Sequence, residues 1–314
     1  MSQSIGVATI SYGNSKKELD QGLPAILGIW GMLIDRACLD RPDIVLLPEH
    51  FAFTGLTYKV EEVAEYLPQG GPVTSFLKRK ARQHRTHILA SYCRKSKKGG
   101  LYNSAMLFDR QGRTAGVYDK TFPTIAEMEG GILPGKGAVA MDTDFGRIGT
   151  GICFDFNFRE LFAEYRRKRI DLFCFLSAFP AGLQIPLMAY ENQMHIASAI
   201  CGPTGMIVDP LGRVLVKAHA SALTIYKRIN LDCRILHIDY NNANDRIHAL
   251  KAKYKQRVGV DVAGDEGVYL LTSHHPRKTA DDMIREFNLE PLDDYLNRSR
   301  AVRRKCFREK DARC

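Results

Sequence analysis

Short apolar runs alternate with amphipathic stretches along this chain, and the two periods assign most of it to strands and helices. Ile5 to Ser11 reads as a buried strand. Leu19 to Cys38 places Ile26, Ile29, Trp30, Leu33 and Ile34 on one helical face. Ile44 to Leu47 is an apolar burst stopped by Pro48, which predicts a strand ending there. A basic helix over Val73 to His84 feeds a strand over His87 to Tyr92. Leu101 to Phe108 and Thr114 to Tyr118 pair across the turn Asp109 to Arg113. Arg147 to Cys153 and Ile170 to Leu176 read as strands, and Arg159 to Lys168 and Ile185 to Ser198 as helices. Gly205 to Val208 and Val214 to Lys217 form a hairpin around Asp209-Pro210-Leu211-Gly212. The alternation is that of an α/β chain with some antiparallel pairing.

Beyond Ser273 the pattern changes. Thr279-Ala280-Asp281-Asp282 has the spacing of a capping box, with Asp in place of Glu, and Pro291 precedes a second helix that runs into a basic tail. This divides the chain into a catalytic body over 1–273 and a helical extension over 274–314. With 314 residues, 45% apolar and 25% charged, there is material for one large core or two smaller ones, which removes peptides, fibres and disordered tails. The formal charge of +10 invites a nucleic-acid reading. Its distribution argues otherwise. Six cations against Glu309 and Asp311 in Ala301 to Cys314 place four of the ten charges in the tail, with no aromatic platform to stack bases. Eight cysteines lack CxxC pairing, so neither a disulfide framework nor a zinc ribbon is suggested. No stretch is long and apolar enough to span a membrane, and the chain reads as cytoplasmic.

Some features that suggest chemistry have plainer readings. Gly130 to Gly137 nearly spells a phosphate loop, but Gly137 has no hydroxyl for magnesium and leads into a strand-like stretch instead of a helix. His84 and His87, and the pair His274-His275, lack ligand spacing and read as solvated histidines, so no metal is expected. Three other places are harder to dismiss. Glu49 directly follows an apolar strand in Leu46-Leu47-Pro48-Glu49-His50-Phe51. Lys120 does the same in Tyr118-Asp119-Lys120-Thr121-Phe122-Pro123. Cys153 sits between a glycine-flanked strand and a helix start, the geometry of a nucleophile elbow. A free thiol is mostly protonated at neutral pH, and a helix N-terminus or a nearby cation such as Lys120 is expected to raise its thiolate fraction.

Glu49 in PEHF, Lys120 in YDKTFP and Cys153 in GICFD stand in the order and spacing of the Glu-Lys-Cys triad, and the chain from Ile5 to Val216 resembles the nitrilase superfamily of carbon-nitrogen hydrolases. Ala189-Tyr190-Glu191-Asn192 and Gly205 to Gly212 are similar to two further family segments. The resemblance implies a four-layer αββα sandwich and a cofactor-free amidase or carbamoylase acting on a small linear amide through a cysteine thioester. Within it Glu49 is the base, Lys120 the oxyanion partner with the backbone N–H of Phe154, and Glu127 a second glutamate, with Glu129 as the fallback. Phe154-Asp155 in place of Trp-Glu turns the reading away from nitriles. Asn157 replaces a basic residue after the elbow, and Arg159 a proline. Phe53, Asp155, Asn157 and Phe179 are the pocket candidates. The family habit implies a homodimer or higher oligomer, with the extension as a subunit contact. A lapsed member serving as a binding or assembly module is the competing reading.

Overall fold

A computed structural model describes residues 4–54, 59–66, 69–239 and 243–311. Contacts divide the chain into two compact units, Ile5–Ile229 and a second from Asn230 onward. In chain order the first unit contains β1 (Ser4–Ile10), α1 (Lys16–Leu19), α2 (Leu23–Ala37), β2 (Ile44–Leu46), α3 (Val60–Val63), β3 (Glu65–Tyr66), α4 (Pro72–His84), β4 (His87–Lys95), β5 (Leu101–Phe108) and β6 (Thr114–Asp119). It continues with α5 (Ile125–Glu129), β7 (Met141–Thr143), β8 (Gly146–Ile152), α6 (Arg159–Lys168), β9 (Leu172–Ser177), α7 (Gln184–Asn192), β10 (His195–Ile200), β11 (Met206–Val208), β12 (Val214–Lys217) and β13 (Thr224–Asn230). One sheet runs β13-β1-β2-β4-β5-β6, with β3 beside β4, and the other runs β12-β11-β10-β9-β8-β7.

Strand alternation builds the layers. On β4 and β5, Ile88, Ala90, Tyr92, Met106 and Phe108 face the helical layer, where α2 supplies Ile26, Trp30 and Ile34 and α4 supplies Val73, Phe76, Leu77 and Ala81. On β9, Phe173 and Phe175 pack against Leu161, Phe162 and Tyr165 of α6 and Ile185, Met188 and Ala189 of α7. The intervening residues Leu89, Leu107, Leu172, Cys174 and Leu176 are equally buried on the opposite strand faces. That is the signature of two sheets packed face to face, each covered outside by helices: an αββα sandwich.

Two predicted helices change their bounds. Leu19 to Cys38 is interrupted by Gly22, whose φ of 80° precedes a new helix with Pro24 in its first turn. The helix expected over Ile185 to Ser198 stops at Asn192; Gln193 adopts a φ of 54°, and His195–Ile200 pairs in parallel with β9. Apolar periodicity does not separate a short buried strand from a helix, and here strand pairing decided it. Two of the four histidines expected to be solvated are in fact held: His84 bonds Asp35 at 2.6 Å, and His87 is buried with Nδ1 3.2 Å from the Asp43 carbonyl.

The second unit has its own sheet, β14 (Cys233–His237), β15 (Val258–Ala263) and β16 (Val268–Ser273), in the order β14-β16-β15. Helices α8 (Asn244–Tyr254) and α9 (Ala280–Glu286) cover it through Ile247, Leu250, Tyr254, Met283 and Ile284. The Thr279/Asp282 capping box opens α9. The compositional boundary at Ser273 falls inside this unit, at the end of its central strand. α10 (Leu292–Asp311) carries the basic tail and is exposed along most of its length.

Candidate active site

Pro48 ends the chain's run along β2 and delivers Glu49 to the rim of the first sheet, where it is 5% exposed. The next residue, His50, has a φ of 46°, a conformation that costs a non-glycine residue roughly 1–3 kcal/mol and is kept only where its surroundings over-determine it. Lys120 follows β6 in the same way and is 1% exposed. Its loop is pinned by Gly135, whose N–H donates to the Lys120 carbonyl at 2.8 Å. A Cβ on Gly135 would lie 2.1 Å from the Asp119 carbonyl oxygen, so only glycine permits that approach.

These turns converge. The Lys120 ammonium donates to Glu49 Oε1 at 2.9 Å and to Glu127 Oε2 at 2.7 Å. Glu127 is oriented by the helix it helps to start, since its carboxylate accepts from Thr124 N while Thr124 Oγ1 accepts from Glu127 N. Of the two glutamates weighed from the sequence, Glu127 is the one bonded to Lys120. The two anions hold Lys120 charged, raising its pKa against the opposing effect of burial. In return Lys120, with Asn103 and Thr124, holds the Glu127 carboxyl below the ordinary range although burial opposes it.

Asn103, which sequence reasoning missed, completes the cluster. Its Nδ2 donates to Glu49 and Glu127 at 2.9 Å each, while its Oδ1 accepts from Ser91 at 3.0 Å, which fixes the amide's orientation. The N–H of Ala178 donates to the other Glu49 oxygen at 3.1 Å. The available signal was the polar pair Asn103-Ser104 inside an otherwise apolar strand, because a polar side chain in a buried strand needs a partner.

Cys153 begins a short 3-10 helix, Cys153–Asn157, at a φ of 46°. α6 starts at Arg159, where the sequence placed it, and the 3-10 turn separates it from Cys153. Burial followed by the Glu49 charge pushes the Cys153 thiol up to about 11, against the expected rise in its thiolate fraction, although Lys120 and a hydrogen bond to Ser177 act the other way. A thiol raised this far favours its protonated form at neutral pH, and the Glu49 carboxylate stands beside it.

Glu49, Lys120, Glu127 and Cys153 line one cleft of about 620 Å³, together with Phe53, His50, Thr54, Cys93, Val60, Ala126, Ile132 and Ala178. Glu49, His50 and Glu127 bring ligand-capable atoms within 4.8 Å of one another, yet the Lys120 ammonium already occupies the cation position between the carboxylates. Three pocket candidates lie elsewhere. Asp155 is fully buried and faces inward, its carboxylate accepting from Ile152 N, Phe122 N and Tyr118 Oη at 2.9, 2.8 and 2.7 Å. It ties the elbow to the Lys120 loop. Asn157 is exposed and bonds the Phe154 carbonyl and Gln184. Phe179 stands at 38% exposure next to Ala178, outside the lining. The Phe154 side chain turns outward, its ring edge-on to Phe158, which stacks on Phe122 at 3.8 Å.

Residues 14–234 match the family described as carbon-nitrogen hydrolase. Omega-amidase NIT2 of Mus musculus is 28% identical over 224 residues, 63% of this chain and 80% of that protein. Among solved structures, Saccharomyces cerevisiae Nit3, a member of branch 10 of the nitrilase superfamily, superposes with a TM-score of 0.64 at 23% identity, covering 73% of this chain and 90% of its own. An amidase from Nesterenkonia sp. gives 0.64 at 17% identity, over 79% and 96%. At such identities the structural likeness speaks for the fold.

Proposed function

The chain belongs to the carbon-nitrogen hydrolase family and has the nitrilase-type sandwich, and on that premise we propose that it cleaves a small linear amide or N-carbamoyl compound through a Cys153 thioester. The observation that carries the reading is the Lys120 ammonium held between Glu49 and Glu127 in the cleft that Cys153 lines. As sulfur attacks the carbonyl carbon, its proton passes to the Glu49 carboxylate. The developing oxyanion is met by Lys120 and by the N–H of Phe154; one such donor is worth about 3 kcal/mol of barrier. Collapse breaks the C–N bond, and the amine leaves with the proton from Glu49. Water, deprotonated by the same carboxylate, then attacks the thioester, and the acid departs as the thiol recovers its proton. Asn103 and Glu127 position Lys120 and Glu49 and hold the charge balance through both halves.

The reading places the enzyme in the cytoplasm, where the thiol poise keeps Cys153 reduced. No helix among the described residues is long and apolar enough to cross a membrane. It also takes the protein as a homo-oligomer assembled beside the elbow, where Leu183 and Leu187 are 81% and 43% exposed. The deciding test is ammonia release from carbamoyl, aliphatic and ω-amide substrates, with intact mass recorded on the same samples. Wild type is expected to show product and an acyl adduct on Cys153, and Cys153→Ala neither. Persistent absence of both in wild type, with the triad intact, favours the lapsed binding or assembly module.

A further inference from the structure

We propose that the cleft selects amides whose far end is neutral or positively charged and rejects those ending in a carboxylate. The proposal rests on the hydrolase reading and names the class of substrate that enters. Its basis is the charge of the lining. Glu49 and Glu127 contribute two anions and Lys120 one cation, and that cation is already bonded to both carboxylates. Burial and the Glu49 charge push the Cys153 thiol up to about 11, and burial disfavours the charged form of His50. The lining therefore carries a net charge of about −1.

No other cation stands among the described lining residues. Lys59, beside Val60 in the chain, is exposed and outside the lining. The rest of the wall is Phe53, Val60, Ala126 and Ile132, which suits an alkyl chain. A carboxylate entering this space would lose hydration and find no cation to replace it. An alkyl or ammonium end meets no such penalty, and an ammonium gains from the excess negative charge. Asn157, at the one place after the elbow where the sequence raised the question of a basic contact, points to Phe154 and Gln184.

The test uses three amides of matched length: pentanamide, 5-aminopentanamide and the monoamide of glutaric acid. Binding to the Cys153→Ala protein, which keeps every charge of the lining, is measured by calorimetry, and turnover is measured on wild type. Pentanamide and 5-aminopentanamide are expected to bind at least about tenfold more tightly than the glutaric monoamide at low salt, with the ammonium's advantage shrinking as salt rises. In the same background, Ala126→Arg places a cation on the cleft wall and is expected to recover binding of the glutaric monoamide by about tenfold. Equal or tighter binding of the glutaric monoamide overturns the proposal, as does absence of measurable binding by all three. Ranked binding in the expected order without wild-type turnover of any of them removes the hydrolase reading instead and leaves the charge selection standing.

Discussion

Two buried carboxylate clusters lie close together in the first unit and behave oppositely. Around Lys120, Glu49 and Glu127 share an ammonium and an amide donor and open onto the cleft. Around Asp155, a carboxylate more deeply buried than Glu127 is met by two backbone N–H groups and a tyrosine hydroxyl, all neutral. The electrostatic result follows the partners and the depth of burial together. The Glu127 carboxyl is held below its ordinary range, whereas burial pushes Asp155 up to about 6 despite its three hydrogen bonds. Burial of an acid therefore does not identify an active site. A compensating cation together with an opening to solvent marks a candidate, and of these two clusters the Lys120 one has both.

The largest expected effect comes from removing that cation. Lys120→Met leaves two carboxylates facing each other without compensation. It should lower kcat/KM by at least about 10³-fold and cost about 3–5 kcal/mol in denaturant unfolding. A stable variant with near-normal kinetics would erase the distinction between the clusters.

Asp155→Ala should strike stability first. Three buried donors lose their acceptor, which predicts a cost of about 3 kcal/mol by urea unfolding. The pH dependence sharpens the contrast. Because the folded pKa of about 6 lies above the unfolded value near ~3.9, the folded state holds the extra proton between them, and this group's contribution to stability falls as pH rises through that window. The cost of Asp155→Ala should accordingly be greater near pH 5 than above pH 7. The opposite trend would mean that Asp155 is ionised and paired like Glu127.

The smallest effect is expected at Asn157. Its side chain is exposed and its bonds run to the Phe154 carbonyl and Gln184, so Asn157→Ala should change stability by no more than about 0.5 kcal/mol and leave substrate preference as it is. A shift in the ranking of amides would return this residue to the pocket.

Glu49, Lys120 and Cys153 were legible in the sequence as candidates because each stands at a break in a strong local pattern. Glu49 follows Pro48, Lys120 precedes a proline loop, and Cys153 closes a glycine-flanked strand. Glu127 was legible through the family resemblance, with Glu129 as the alternative, and the structure adds that a Thr124/Glu127 capping box orients it. For Asn103 the polar pair Asn103-Ser104 in a buried strand signals a need for partners, but nothing local says that those partners are two glutamates. Asp155 lies outside the cleft lining for a related reason: two residues after Cys153 in the chain, its carboxylate turns to Ile152 N, Phe122 N and Tyr118 Oη.

What the sequence determined by itself is whatever depends on neighbours along the chain: the alternation of strands and helices, the turns that deliver Glu49, Lys120 and Cys153, and the cap on α9. Tertiary structure decided what depends on residues meeting across the chain. It set the direction in which the Cys153 thiol shifts: a reading from helix and cation alone expected a larger thiolate fraction, whereas burial beside Glu49 pushes the thiol up. It also set the orientation of Asn103, the inward turn of Asp155 and the net charge of the cleft. Charge and desolvation act through space, and only packing brings Glu49, Asn103, Lys120 and Cys153 within reach of one another.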